Sequence, residues 1–277
     1  MDAADSKRAH LIVGGFPPGS PAGHDMDLAR LRILQGLGED PRLLVTTGND
    51  YSSLDRWLSG CQMLVTYTAG PFANDEQCEI LDEWLRGGGR WLALHGSSGG
   101  KAVKLERNGM PVKQMVKSTH HVLLGCFFLN HPPLRRFEVR VRDTGHPLTR
   151  GLPERFQVVD ELYLVELQQP AESTLLLSTE LDTDPSPPGF GFVYDRDTSV
   201  LEDGKSRALG YEKRIGEGAV AYIALGHCHR PATRPQRLVD DSALVDGDRP
   251  QIFHGVWDDP NFATLLRNGI AWGSGGG

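Results

Sequence analysis

The chain has 277 residues with 29 basic and 36 acidic side chains, a formal charge of −7, and is roughly half apolar once glycine is counted, the composition of a soluble globular protein rather than a disordered one. A mild acidic surplus without a long basic run speaks against nucleic acid or anionic membrane as the main partner. No apolar stretch approaches the ~20 residues of a membrane span, and at this length a compact chain buries roughly three quarters of its extended surface without staples.

Residues 1–10 are charged and lack an apolar core, which reads as no secretory leader. Arg8 to Gly15 is a short apolar run ending in Gly-Gly, the pattern of a strand buried on both faces. A Pro/Gly loop, 16–23, precedes Asp25, which can cap a helix carrying Leu28, Leu31, Leu34 and Leu37 as its stripe. Leu43 to Thr47 and Met63 to Thr68 are further β-rich runs. Asn74 and Gln77 fit a capping box for a helix with Cys78, Leu81, Trp84 and Leu85 on one face, ended by Gly87 to Gly89. Trp91 to Leu94 then runs as a strand into His95. This alternation implies parallel crossover units and a layered α/β sheet.

The second half is richer in strands: Phe137 to Val141, Leu162 to Val165, Thr174 to Leu177, Ala208 to Tyr211 and Ala219 to Leu225, the last two joined by Ile215 to Gly218 as a hairpin. Residues 182–206, rich in Asp, Pro and Gly, read as a long surface loop, and Asp259-Pro260 opens a final helix. One domain over 7–273 with a frayed tail, 274–277, is expected. Four cysteines, Cys61, Cys78, Cys126 and Cys228, include no Cys-x-x-Cys pair and read as reduced thiols of a cytoplasmic protein.

Two phosphate motifs fail. Gly14-Gly15-Phe16-Pro17-Pro18-Gly19 breaks the dinucleotide spacing, and Gly96 to Lys101 lacks the first glycine and the metal-binding hydroxyl of a P-loop. The histidines carry more information, because ligands of open α/β sheets bind beyond the carboxyl ends of strands. His24, His95 and His227 all fall there, and His229 stands two residues past His227, a spacing suited to metal ligation. Asp160-Glu161 precedes a strand, so one carboxylate is expected inward and one outward, able to orient imidazoles or to act as acid or base. His131-Pro132 and His146-Pro147 read as loop corners, and Glu138, Arg140 and Arg142 as a solvated face. Cys228 between two histidines can be read as an activated thiol or as a small hydrophobe.

The order of these motifs resembles the ThuA-like (trehalose utilisation) family: Gly23-His24-Asp25, the Asn74 to Leu85 helix with its glycines, Leu94-His95-Gly96, Asn130-His131-Pro132, His146 to Thr149 with Gly151-Leu152-Pro153, Asp160 to Tyr163, Tyr222 to His227, and Pro260 to Trp272. That resemblance implies a three-layer α/β, class I glutamine amidotransferase-like (flavodoxin-like) fold with a mostly parallel sheet. It also implies a role in the metabolism of trehalose-like disaccharides or keto-sugars. At the turn where such amidotransferases carry a nucleophilic Cys this chain has His95, and imidazole cannot replace a thiolate in a thioester intermediate, so glutaminase activity is not expected. His95, His227, Asp160 and Glu161 are the expected catalytic groups, and His24, Asp25, Gly96, Ser97, His131 and His229 the expected substrate contacts. A divalent metal or the amides of Gly96 to Gly100 would serve as electrophile. The expected partner is a saccharide, with no nucleic acid or membrane, and self-assembly stays open. A sugar isomerase, lyase or hydrolase fits these groups; a non-catalytic sugar-binding or regulatory module is the alternative.

Overall fold

The apolar runs of the first half pair as parallel strands, as segments covered on both faces do. In the computed structural model, which describes residues 7–15, 17, 20 and 23–275, they are β1 (Lys7–Gly15), β2 (Leu43–Gly48), β3 (Met63–Ala69) and β4 (Arg90–Leu94), with helices α1 (Met26–Leu37), α2 (Leu54–Leu58) and α3 (Asp75–Arg86) between them. The leader expectation for the first six residues, most of the 16–23 loop and the last two residues of the expected tail lie outside the described residues.

The chain continues through β5 (Ala102–Arg107), β6 (Met110–Met115), α4 (Thr119–Leu124), β7 (Cys126–Asn130), β8 (Arg135–Val141), β9 (Arg155–Asp160), β10 (Leu164–Leu167), β11 (Ser173–Glu180), β12 (Ser206–Ile215), β13 (Gly218–Ile223) and α5 (Pro260–Gly273). Nine strands form one sheet in the order β2-β1-β3-β4-β13-β12-β11-β8-β9. The first five are parallel, and with β13 as fifth strand their order is the doubly wound 2-1-3-4-5. The last four pair antiparallel, so the β-rich second half extends the same sheet. The fold is thus the α/β class expected, with a mixed central sheet.

Register sets the site. Val13 pairs with Tyr67, Tyr67 with Leu94, and Leu94 with Ile223, so β1, β3, β4 and β13 end within two residues of one level. The loops that follow carry His24, His95 and His227 to one rim.

Local chemistry fixes the helices. Asn74 and Gln77 form the reciprocal capping box, and Cys78, Leu81 and Leu85 of α3 are buried. Asp25 caps α1 through the Leu28 N–H, but the buried face is Met26, Ala29, Ile33 and Leu37, whereas Leu31 is 53% exposed. Steps of three drift around a helix of 3.6 residues per turn, so the expected leucine stripe does not stay on one face. At the other end, Ser274 is buried and its N–H closes α5 on the Ile270 carbonyl.

Two further expectations are corrected. The strand expected at Leu162 to Val165 is β10, which starts two residues later at Leu164 and pairs antiparallel with β7 in a ribbon separate from the main sheet. The Asp160 to Tyr163 segment therefore crosses between sheets, and both carboxylates turn inward, Asp160 fully buried and Glu161 nearly so. Residues 182–206 are irregular as expected, yet Phe190 to Phe192 line a cavity rather than the outer surface.

Candidate functional site

His95 closes β4 with φ +42°, a left-handed conformation at the start of the tight turn His95–Ser98. Such strain persists only where surroundings over-determine it. Here a Cβ on Gly96 would meet the Thr68 carbonyl oxygen at 2.5 Å, and Ser97 Oγ donates to the Thr66 carbonyl at 3.0 Å. His24 is brought alongside by backbone stitching, because Asp25 N–H donates to the Cys228 carbonyl at 2.8 Å. The loop bearing His227 is held by Asp160, whose carboxylate accepts from Gly226 N–H at 2.7 Å, His227 N–H at 2.9 Å and Glu161 N–H at 2.8 Å.

The three imidazoles meet around Glu161. His24 Nδ1 lies 3.2 Å from His227 Nδ1, Glu161 Oε2 lies 3.2 Å from His227 Nδ1 and 3.4 Å from His95 Nε2. All four groups are buried, and one ligand atom from each lies within 4.8 Å of the others.

The proton positions follow from carbonyl oxygens, which can only accept. His95 Nδ1 is 2.7 Å from the Ala224 oxygen, so Nδ1 carries the proton and Nε2 a lone pair. His229 Nε2 is 2.9 Å from the Pro250 oxygen and must donate. Its Nδ1 therefore accepts from His227 Nε2 at 2.8 Å, leaving the His227 lone pair on Nδ1. Two imidazole lone pairs thus face one carboxylate, and His95 Nε2 is buried without a hydrogen-bond partner among the described residues.

Burial pushes the His24 imidazole well below its ordinary 6.5, with His95 and His227 adding to the effect. Burial likewise takes His227 down to about 4, partly offset by Glu161. Both are neutral at pH 7, the form that ligates metals. This set fits a divalent cation. Cis ligands around a first-row metal with bonds of ~2.1 Å stand about 3.0–3.4 Å apart, the spacing of the three contacts above, and three imidazoles with one carboxylate suit Zn²⁺, Mn²⁺ or Fe²⁺.

A cavity of about 380 Å³ opens over the cluster, lined among others by His24, His131, Glu161, Tyr163 and Gly96. That size is within the ~300–1,000 Å³ range of small-molecule sites. A larger groove of about 550 Å³ between α3, α4 and β12 has no such cluster among the described residues. Its buried Lys213 is already committed to the Val122 carbonyl and Gln169.

The expected site residues divide into layers. His24, Glu161, Gly96 and His131 reach the cavity, whereas His95 and His227 lie beneath it, against Glu161. The remaining four do not reach it. Ser97 points at Thr66, Asp25 caps α1 and pairs with Arg230 at 3.1 Å, His229 stands behind His227, and Asp160 spends its oxygens on backbone amides. His131 is more than a loop corner. Its Nδ1 donates to the Pro132 carbonyl at 2.9 Å and its Nε2 is 3.9 Å from Glu161 Oε1. Cys228 is fully buried, and burial pushes its thiol up to about 12, so it is a small hydrophobe and not an activated nucleophile. Gln236, which donates to Glu161 Oε1, and Phe190 and Phe192 were not anticipated; they sit in irregular segments without periodicity.

Two ThuA-like proteins of known structure, from Parabacteroides merdae and Bacteroides uniformis, superpose with TM-scores of 0.58 and 0.60, each at 16% identity. The matches cover 98% and 99% of this chain and 91% and 94% of theirs. A β-galactosidase from Bacillus circulans matches 98% of this chain over 31% of its own, at TM-score 0.54 and 10% identity. At these identities the likenesses establish the fold. No curated protein matches the chain in sequence. The ThuA profile, described as trehalose utilisation, matches residues 19–238 and so takes in His24, the His95 turn, Asp160-Glu161 and His227: the chain belongs to the ThuA family.

Proposed function

We propose that the protein is a cytoplasmic enzyme of carbohydrate metabolism that holds a divalent cation with His24, His95, His227 and Glu161 and acts on a keto-sugar. The observation that carries this reading is the convergence of the His95 Nε2 and His227 Nδ1 lone pairs on the Glu161 carboxylate, an arrangement that repels itself unless a cation lies between. The family's trehalose-utilisation description supports a sugar as substrate.

When bound, the cation supplies Lewis acidity toward a sugar carbonyl. The chain's own residues do the rest. His131, with Nδ1–H on the Pro132 carbonyl, presents its Nε2 lone pair beside Glu161 at the cavity. From there it takes a proton from the carbon next to the carbonyl, the electron pair moving onto the carbonyl oxygen. Return of that proton to the former carbonyl carbon, with the hydroxyl proton of the first carbon passing to the old carbonyl oxygen, completes an isomerisation; in an elimination the enolate pair instead forms the C=C bond as the β C–O bond breaks, and the leaving oxygen takes the proton held by His131. A glutaminase route is not proposed, since His95 stands at the strand-end turn and Cys228 is buried.

Elemental analysis of protein purified without chelators tests the reading, together with turnover of a keto-disaccharide by His95→Ala and His227→Ala. About one cation per chain is expected in the wild type. Both variants should lose cation and turnover while keeping their circular dichroism. A wild type that takes up no divalent cation, or variants that turn over unchanged, would overturn it. Thermal stabilisation by sugars without any product would leave a binding module instead.

A further inference from the structure

The irregular segment between β11 and β12 is built into the site rather than draped over the surface. Its anchor is Asn130 at the end of β7, only 2% exposed. Asn130 Nδ2 donates to Asp184 Oδ2 at 3.0 Å and Ser186 Oγ at 3.2 Å, and its Oδ1 accepts from Phe192 N–H at 2.9 Å. Asp184 Oδ2 also accepts the Tyr194 hydroxyl at 2.9 Å, and Val193 N–H donates to the Lys113 carbonyl at 2.8 Å. Gly191, with φ +70°, passes so close that a Cβ there would lie 2.1 Å from Asn130 Oδ1. A side chain is therefore excluded between two phenylalanines that both line the cavity.

Those rings continue an aromatic path to the cluster. Phe190 meets His131 edge-on at 5.6 Å and Phe192 meets Phe128 edge-on at 5.7 Å. Phe128 packs on Tyr163 at 4.5 Å, and Tyr163 on His95 at 4.1 Å. The cavity thus has a polar floor of His24 and Glu161 and an aromatic wall. A pyranose matches that division, because its hydroxyls radiate from the ring edge while its C–H bonds present a face that the negative face of an aromatic ring attracts. An open-chain polyol has the hydroxyls without a fixed C–H face.

We propose that Phe190 and Phe192 form a ring-stacking subsite that makes this pocket select pyranosides over open-chain polyols, an inference that rests on reading the pocket as a sugar site. The segment that bears them is pinned in advance by Asn130, so little ordering cost falls on binding.

The full-length protein as purified, titrated calorimetrically with trehalose, methyl glucoside and sorbitol, tests this, alongside Phe190→Leu, Phe192→Leu and the double variant. Leucine keeps apolar bulk but removes the π face. The expected result is a pyranoside bound at least tenfold more tightly than sorbitol, with each single variant losing about three- to tenfold and the double variant losing the preference. Melting temperature and cation content should stay as in the wild type. Leucine variants that bind pyranosides like the wild type, sorbitol bound equally well, or no pyranoside bound by the wild type would each overturn it. Cation content is read separately, so selectivity without a cation would sink the metal reading and leave this one standing.

Discussion

His227 Nε2–H donates to His229 Nδ1 at 2.8 Å, and this one bond decides which nitrogen of His227 faces Glu161. His229 is itself committed, since its Nε2 donates to the Pro250 carbonyl and its backbone exchanges two hydrogen bonds with Phe253 at 2.8 Å each. It is a positioning residue. Replacing it by Phe keeps a flat ring against Phe253 but removes the acceptor, freeing His227 to place its proton on Nδ1. Cation affinity, measured by chelator competition, should fall about 10–100-fold, as when a metal-bound histidine loses its outer partner. Unchanged affinity would show that the tautomer is fixed by something else.

Asp160 holds the same loop from the other side. Its carboxylate takes three backbone N–H groups in a fully buried setting, so Asp160→Ala leaves three donors unpaired, each costing about 1–3 kcal/mol. Asp160→Asn keeps one acceptor oxygen and turns an amide donor toward the others. Urea unfolding should show a loss of several kcal/mol for Ala and a smaller one for Asn, with reduced cation content in both. A loss below about 1 kcal/mol for Ala would mean that water replaces the carboxylate.

The meeting of His24, His95 and His227 was legible because register levels β1, β4 and β13, and strand-end loops in a doubly wound sheet share a rim. The layering was not. That His95 and His227 lie beneath the cavity depends on the carbonyls of Ala224 and Pro250, and no side-chain pattern marks a carbonyl. Asp160-Glu161 misled because alternation holds only inside a strand, and Glu161 lies just past the end of β9. The β5–β6 hairpin escaped notice because its strands are largely exposed, with no buried face to give a period.

Cys228 gives a direct check on the layering. Its Sγ–H donates to the Asp25 carbonyl at 3.4 Å, it is fully buried, and burial raises its thiol to about 12. Iodoacetamide at pH 7 should label it only as fast as the protein opens, and rapidly in urea. Labelling in the native state as fast as a free thiol would restore the case for a reactive cysteine.

Buried imidazoles outside the cluster add to the acid limb of stability. His120 is fully buried, with Nε2 donating to the Ser97 carbonyl at 2.9 Å and Nδ1 without a partner among the described residues. His121, Tyr51, Trp91 and Phe72 surround it, and among the described residues no carboxylate contributes to its shift. Burial, with the neighbouring His121, lowers its value from 6.5 to about 4. The unfolded chain therefore takes up this proton first, so the stabilising contribution is fully present above pH 6.5 and is lost as pH falls toward 4. The full span is worth about 3 kcal/mol. His10, lowered by burial to about 4, acts in the same window and sense. Denaturant unfolding of His120→Phe should start slightly lower at pH 8, because the bond to Ser97 is gone, and then decline less steeply than the wild type between pH 6.5 and 4. Parallel pH curves for the two proteins would show that His120 is protonated at no cost in the native state.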